Sequence, residues 1–333
     1  MFTNFSTMNF FLLLIFSTLL TISSNNWMGC WMGLEINLLS FIPLICSNKN
    51  LMNSEAALKY FLIQCIASMN LLFFIFLGMM NLTKLNSYME ILMNSTLLMK
   101  MGAAPFHFWF VNIVEGLSWL NCFILMTWQK ITPMILLSYY YNINFLISIS
   151  ILSMIIGSIG GLNQTSLRKL LTFSSINHIS WMIMALTINM NLWNFYFLIY
   201  LTLMMLMILM FNELNIFYLS QNFSYKLNNM IKIIFMMNLM SLGGLPPFLG
   251  FLPKWIMMNE LINNNMYLMT FMLTMSSLIT LSYYLKISYH TYMISPIKTK
   301  WMKFNYKSKY LTYINSLTAI SFTCLMISTL IMI

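Results

Sequence analysis

A lysine followed by a helix-breaking sequence inside a long apolar segment is the feature that most constrains this chain. Lys100 lies in an apolar run, residues 102–105 (Gly-Ala-Ala-Pro) interrupt it, and a second apolar run begins at Phe106. A charged side chain at membrane depth is energetically expensive and marks a functional site by default. An interrupted helix at that depth is tolerated only where it faces protein or a wet cavity. The segment therefore predicts a membrane protein with a pathway for charge.

The composition extends this prediction to the whole chain. Of 333 residues, 60% are hydrophobic and 7% are charged, whereas a soluble domain carries about 25% charged residues. A soluble core could not bury this many apolar side chains, so we predict an all-α polytopic membrane protein. The net charge of +10 comes mostly from lysines in loops, and it therefore indicates topology rather than binding to nucleic acid.

Apolar segments of membrane-spanning length recur along the chain. A helix needs about 20 apolar residues to cross a bilayer, which predicts about eleven transmembrane helices in a single domain over 1–333. The predicted spans are 8–24, 27–46, 55–80, 88–117, 119–140, 142–162, 170–188, 192–215, 229–262, 266–290 and 310–332. The fourth and ninth spans are too long for one straight crossing, and each contains a break.

Basic residues are distributed unequally between alternate loops. Only Lys84 follows an odd-numbered span, and the other loop cations follow even-numbered spans: Lys49, Arg168, Lys169, Lys226, Lys298, Lys300, Lys303, Lys307 and Lys309. Because basic loops remain on the inner side of a membrane, we expect the N-terminus there. The basic inner loop at about 291–309 is interpreted first as solvated, and second as a docking segment for an acidic neighbouring subunit.

Five ionisable residues fall near the middle of predicted spans: Glu35, Lys100, Lys130, His178 and Lys254. Burying each lysine alone costs roughly 2.5–3.5 kcal/mol, so we expect carboxylate partners or water beside them. With a rise of about 1.5 Å per residue, Glu35 and Lys100 can lie at the same depth. A lone histidine such as His178 is more often a hydrogen-bonded core residue, and Lys254 could still reach the interface.

Three further lysines, Lys59, Lys232 and Lys286, lie near span ends and are interpreted as interfacial anchors. Lys59 also has Glu55 one helical turn before it, which predicts an ion pair along the helix.

The two breaks form a pattern. The residues that predict them are Gly102 and Pro105 in the fourth span, and Gly243, Gly244, Pro246 and Pro247 in the ninth. The two spans are separated by an odd number of crossings, so they run in opposite directions. Paired broken helices in oppositely oriented halves are typical of inverted repeats, with the ion path at the repeat interface.

Taken together, the motifs resemble those of the mitochondrially encoded, antiporter-like membrane subunits of respiratory complex I. The segments that carry the resemblance are 55–61, 100–109, 127–130, 161–169 and 243–255. The resemblance extends from the first span to about the tenth, and eleven spans match the shortened animal form. Abundant methionine, with 36 residues, also fits an AT-rich organellar reading frame.

The resemblance implies a role for each buried charge. Glu35 and Lys100 would form the ion pair that senses the coupling signal, and Lys130 would be the central proton-carrying lysine. His178 would lie between Lys130 and Lys254, the exit-side lysine. The chain would translocate protons while other subunits oxidise NADH and reduce ubiquinone.

The resemblance also implies the surroundings of the chain. Its partners would be other membrane-arm subunits of complex I, including neighbouring antiporter-like chains, and phospholipid. FMN, iron–sulfur clusters and ubiquinone would belong to other subunits, since this sequence has neither a dinucleotide motif nor grouped cysteines and histidines. The location implied is the mitochondrial inner membrane, with the N-terminus on the matrix side.

One position departs from the family pattern. Where the family usually has a proline–glutamate pair, this chain has Val111 and Asn112. Asn112 cannot titrate, so the carboxylate is absent or moved. Glu115, about one turn later, could replace it, or the position could be dispensable.

Two other functions remain open from the sequence. A free-standing cation/proton antiporter would share the broken helices and lysines but would transport alone in vesicles. A non-pumping scaffold would use its charges only to fix helix register, and would keep normal pumping when Lys100, Lys130 and Lys254 are neutralised together.

Overall fold

The computed structural model describes residues 5–46, 50–79, 86–221 and 229–293. Within these ranges the chain forms thirteen helices. They are α1 (Phe5–Ser23), α2 (Trp27–Ile45), α3 (Leu51–Met79), α4 (Asn86–Met101), α5 (Phe108–Val114), α6 (Trp119–Met126), α7 (Trp128–Tyr139), α8 (Ile143–Gly161), α9 (Leu167–Ile188), α10 (Met190–Leu214), α11 (Asn229–Gly243), α12 (Phe251–Asn263) and α13 (Tyr267–Met293). An all-helical fold is expected, because a spanning segment in lipid must satisfy its own backbone hydrogen bonds.

The helices account for ten of the predicted crossings. Eight crossings within the described residues are long and apolar enough to span a membrane. Two further crossings, the predicted fourth and ninth spans, are each built from two shorter helices, α4 with α5 and α11 with α12. The predicted eleventh span, 310–332, and most of the basic loop at 291–309 lie outside the described residues. The count of eleven therefore stays a prediction.

The fifth span differs from its prediction as one continuous helix over 119–140. It is divided into α6 and α7 at Thr127, whose backbone has φ −120° and ψ −69°. The Thr127 hydroxyl donates to the Phe123 carbonyl at 2.6 Å, and the Lys130 amide bonds to the Thr127 carbonyl at 3.1 Å. A tight turn therefore interrupts the helix just before Lys130.

Two compact units divide the chain between Leu152 and Ser153, within α8. In the first unit, α2 packs between α1 and α3, and α3 also packs against α4 and α5. The helix α7 contacts α1, α4 and α6. The helices that carry Glu35 and Lys100, α2 and α4, therefore both pack against α3 inside the first unit.

In the second unit α9 is the central helix. It contacts α10, α12 and α13, and 18 of its 22 residues are buried. Its burial includes a run of polar side chains: Thr172, Ser174, Ser175, Asn177, His178 and Ser180. The hydroxyls donate to carbonyls three residues earlier in the same helix, so their hydrogen-bonding capacity is met without a charged partner. A polar helix is thereby placed at the centre of an apolar unit.

Candidate functional site

The first break is a helix terminus in the middle of an apolar crossing. The helix α4 ends at Met101, and Gly102 adopts a left-handed conformation with φ +73°. The Gly102 amide bonds to the Met99 carbonyl, and the Ala103 amide bonds to the Leu98 carbonyl. This pair of bonds is a Schellman motif, which requires a residue that tolerates positive φ after the helix. Gly102 meets that requirement because it has no Cβ atom.

The second break repeats the same local structure. The helix α11 ends at Gly243, and Gly244 has φ +78°. The Gly244 amide bonds to the Ser241 carbonyl at 3.1 Å, and the Leu245 amide bonds to the Met240 carbonyl at 3.2 Å. Both predicted breaks are therefore present, and each ends its first half-helix with the same capping motif.

Side chains donate to two backbone carbonyls at the first break. The Trp109 indole N–H donates to the Met99 carbonyl at 3.1 Å, and Gln64 Nε2 donates to the Lys100 carbonyl at 3.2 Å. Gln64 comes from α3 and is 5% exposed. Because an unpaired buried carbonyl is costly, the Gln64 bond stabilises the interrupted helix in an apolar setting. The Trp109 bond gives a second donor to the Met99 carbonyl, which already accepts from Gly102.

At the second break, a charged side chain makes the equivalent contact. Lys254 Nζ donates to the carbonyl of Gly243, the last residue of α11, at 3.0 Å. The C-terminal end of a helix carries a partial negative charge, which favours an ammonium group there. The Trp181 ring lies 6.0 Å from the same ammonium, at the outer limit of a cation–π contact. Lys254 is 5% exposed, so these contacts replace most of its water.

Gly244 makes room for this ammonium group. A Cβ atom at position 244 would lie 2.9 Å from Lys254 Nζ. The glycine is favoured by its backbone conformation, and a side chain there would also displace the end of the lysine.

Lys100 is buried at the end of the first half-helix. It lies in the last turn of α4 and is 7% exposed. Glu35 of α2 acts electrostatically on it, and the Cys65 thiol of α3 lies near both groups. Glu35 and Lys100 do not form an ion pair within 4.0 Å, whereas the exposed pair Lys59–Glu55 does, at 3.8 Å. The structure thus brings the two sequence-predicted charges into one electrostatic group without direct contact.

Lys130 is the most deeply buried of the three lysines. It lies in the first turn of α7, just after the interruption at Thr127, and is 1% exposed. Its ammonium group lies 5.5 Å from the centroid of the Phe110 ring, which belongs to α5. Its neighbour Gln129 donates from Nε2 to Asn37 Oδ1 at 2.9 Å. The site of Lys130 is therefore formed by α7, by the half-helix after the first break and, through Gln129, by α2.

His178 lies in the polar centre of the second unit and is 7% exposed. Its Nδ1 atom is 2.9 Å from the Tyr196 hydroxyl, and the Tyr200 ring lies 4.9 Å from its ring. Trp181, which faces Lys254, is stacked parallel to Tyr196 at a centroid distance of 6.4 Å. Within this unit, aromatic side chains therefore lie in series between the histidine and the lysine. An imidazole that shares a hydrogen bond with a hydroxyl can accept a proton on one nitrogen and release it from the other.

Several residues of these sites were not predicted from the sequence. Asn37, Gln64, Cys65, Tyr196 and Trp181 are all ordinary in type, and they acquire their roles only through contacts between distant helices. A polar side chain inside an apolar span was the available signal for Asn37 and Gln64. Nothing in the sequence distinguishes the two aromatic residues from the many others.

Asn112 and Glu115, the residues at the departure from the family pattern, lie on the exposed side of α5 and at its C-terminal end. Lys100 and Lys130, in contrast, are both buried.

Within the described ranges, no three His, Cys, Asp or Glu side chains are grouped as a metal site requires.

Known proteins match this chain over most of its length. Residues 24–280 match the family described as NADH:quinone oxidoreductase/Mrp antiporter, TM. The NADH-ubiquinone oxidoreductase chain 2 of Aedes aegypti is 54% identical over 329 residues, 97% of this chain and 96% of that protein. The protein of the same name from Anopheles gambiae is 52% identical over 307 residues, 90% of each chain.

Similarity also extends to a solved structure. A chain of respiratory complex I from Thermus thermophilus with bound aureothin superposes with a TM-score of 0.82, covering 96% of this chain and 78% of that one. At 22% identity, this match shows a shared fold.

Proposed function

The chain belongs to the NADH:quinone oxidoreductase/Mrp antiporter family of membrane proteins, and from that premise we propose that it is a proton-translocating membrane-arm subunit of respiratory complex I. Its partners are then the other membrane-arm subunits, including neighbouring antiporter-like chains, and phospholipid. FMN, iron–sulfur clusters and ubiquinone are held by other subunits. The location is the mitochondrial inner membrane, with the N-terminus on the matrix side because the basic loops favour it.

The observation that carries the proposal is the burial of three lysines in apolar helices. Lys100, Lys130 and Lys254 are 7%, 1% and 5% exposed. A scaffold has no need to bury three ammonium groups at such cost, whereas a proton carrier must keep titratable groups away from bulk water.

Coupling begins at Glu35 and Lys100 in our proposal. The two groups interact electrostatically without forming a close ion pair. Their interaction energy therefore varies with the distance between them and with the charge of each group. A change in a neighbouring subunit that alters the charge or position of Glu35 therefore changes the potential around Lys100. Because buried charges are weakly screened, that change extends to Lys130 in the same unit.

Proton transfer follows from Lys130 toward Lys254. Lys130 releases its proton when the potential around it rises, and the proton passes by water and His178 toward the exit-side lysine. His178 supports this step because its Nδ1 atom is hydrogen-bonded to the Tyr196 hydroxyl, and an imidazole can accept a proton on one ring nitrogen and release one from the other. Lys254 receives the proton beside the helix terminus at Gly243.

Mild solubilisation of the native membrane tests membership of the complex. We expect this chain to migrate on a native gel with the band that oxidises NADH, as detected by mass spectrometry of that band. A chain found only at low mass, away from NADH oxidation, would contradict the proposal. Transport by the isolated chain in vesicles would then favour a free-standing cation/proton antiporter.

A further inference from the structure

A part-buried amide pair joins the helix that carries Glu35 to the helix that carries Lys130. Gln129 of α7 donates from Nε2 to Asn37 Oδ1 of α2 at 2.9 Å. Asn37 is 2% exposed, and the two residues are 92 positions apart in the chain. Gln129 directly precedes Lys130, so the bond ends one residue from the proposed proton carrier.

Glu35 and Asn37 point to different neighbours. An α-helix turns by about 100° per residue, so side chains two positions apart lie on nearly opposite faces. Glu35 acts on Lys100 and Cys65, which belong to α4 and α3, whereas Asn37 bonds to α7. The helix α2 therefore carries Glu35 on one face and is bonded to α7 through Asn37 on another, while α7 also packs directly against α4.

A second hydrogen bond ties α2 to the other half of the interrupted span. Asn121 of α6 donates from Nδ2 to the Leu44 carbonyl at 2.8 Å. Leu44 follows Asn37 by seven residues, which is two helical turns or about 10.5 Å along the same face. The two halves, α6 and α7, are thus attached to α2 separately, with the interruption at Thr127 between the attachments.

We propose that the Asn37–Gln129 hydrogen bond is a positioning contact that transmits movement of α2 to Lys130. When the charge at Glu35 changes, α2 shifts against α3 and α4, and the amide bond displaces Gln129 together with Lys130. The helical ladder is interrupted at Thr127, so α7 follows α2 through its own hydrogen bond, separately from the bond that attaches α6. This inference rests on the proposed function, and it adds a mechanical link to the electrostatic one.

Exchange of the two side chains tests the link. Asn37→Gln lengthens one partner by a methylene group, Gln129→Asn shortens the other, and the double variant keeps their combined length. We expect each single variant to translocate fewer protons per NADH in proteoliposomes while NADH–ubiquinone electron transfer continues. In the double variant, the ratio should return toward the parent value. Parent ratios in both single variants, or a double variant below both singles, would overturn the proposal.

Asn121→Leu is the matched control. It removes a hydrogen bond to the same helix from the same span, but on α6 rather than beside Lys130, so the proton ratio should remain at the parent value. If Asn121→Leu lowered the proton ratio as much as the Asn37 variant does, both bonds would act only by stabilising the unit. That result would overturn the proposed positioning role of the Asn37–Gln129 bond. If Asn37→Gln prevents assembly, Asn37→Ser removes the bond without added volume and is read in the same way.

Lys130→Ala separates this inference from the proposed function. If that variant loses proton translocation while the Asn37 and Gln129 variants keep it, only the positioning contact is wrong. If Lys130→Ala itself keeps the parent ratio, the proposed function fails first.

Discussion

At the scale of single residues, the contacts of the buried charges include several neutral groups. Lys254 donates to a backbone carbonyl beside an indole, and Lys130 lies over the Phe110 ring. Lys100 shares an electrostatic group with Glu35 but does not touch it. Such contacts reduce the cost of burying the ammonium groups, which suits side chains that must both gain and lose a proton.

The hydroxyl of Tyr196 is predicted to orient His178 for proton transfer. Tyr196→Phe removes the hydrogen bond to Nδ1 and keeps the ring that stacks on Trp181. Loss of one hydrogen bond, about 1 kcal/mol, corresponds to roughly a fivefold slower transfer. We expect proton translocation to slow by about this factor and its pH profile to shift, as measured with a pH-sensitive dye in proteoliposomes.

Tyr283→Phe is the control for this prediction. Tyr283 is buried to the same 2% exposure as Tyr196, and its ring packs against Tyr284 at 4.7 Å. Its variant should keep the parent rate and pH profile. Equal effects of the two variants would show that the hydroxyl of Tyr196 has no special role.

Gly244 is predicted to be intolerant of a side chain. Gly244→Ala forces a Cβ atom into a left-handed conformation, at about 1–2 kcal/mol, and brings it to 2.9 Å from Lys254 Nζ. The complex should lose activity at a lower temperature, as measured by thermal inactivation of the purified enzyme. Gly78→Ala in α3 is the control because its Cβ would meet nothing within 4 Å, and an equal loss there would contradict the explanation.

At the scale of elements, the two broken helices share a backbone capping motif and differ in the side chains that contact it. Each first half ends in a Schellman motif with glycine at positive φ. Ten residues after that glycine stands Lys254 in the second break and Asn112 in the first. Side chains from α3 and α5 satisfy carbonyls at the first break, whereas a lysine does so at the second. The same interruption can therefore be built with or without a charge at that position.

The sequence predicted these breaks because glycine and proline mark them directly. It did not predict the interruption at Thr127, where no glycine or proline stands and Pro133 lies six residues later. The burial of the charges was predicted from hydropathy, because a lysine in the middle of a long apolar run cannot easily reach the membrane interface. The partners of those charges did not, because bonds such as Asn37–Gln129 join residues 92 positions apart and depend on how the helices pack.

At the scale of the whole molecule, the chain is a multi-pass membrane protein of the NADH:quinone oxidoreductase/Mrp antiporter family. Its length and composition predicted that class, and the order of its motifs predicted the family. Neither composition nor motif order distinguishes a pumping subunit from a scaffold, since both need the same helices. The distinction depends on whether the buried lysines carry protons.

Proton translocation per NADH by complex I with Lys130→Ala, reconstituted in liposomes, tests this account most directly. We expect an assembled complex that transfers electrons from NADH to ubiquinone when uncoupled but has lost its normal pumping. Lys59→Ala, which removes an exposed lysine of the same unit, should pump as the parent does. A normal ratio of protons to electrons in the Lys130 variant would contradict the assignment of this lysine as the central proton carrier.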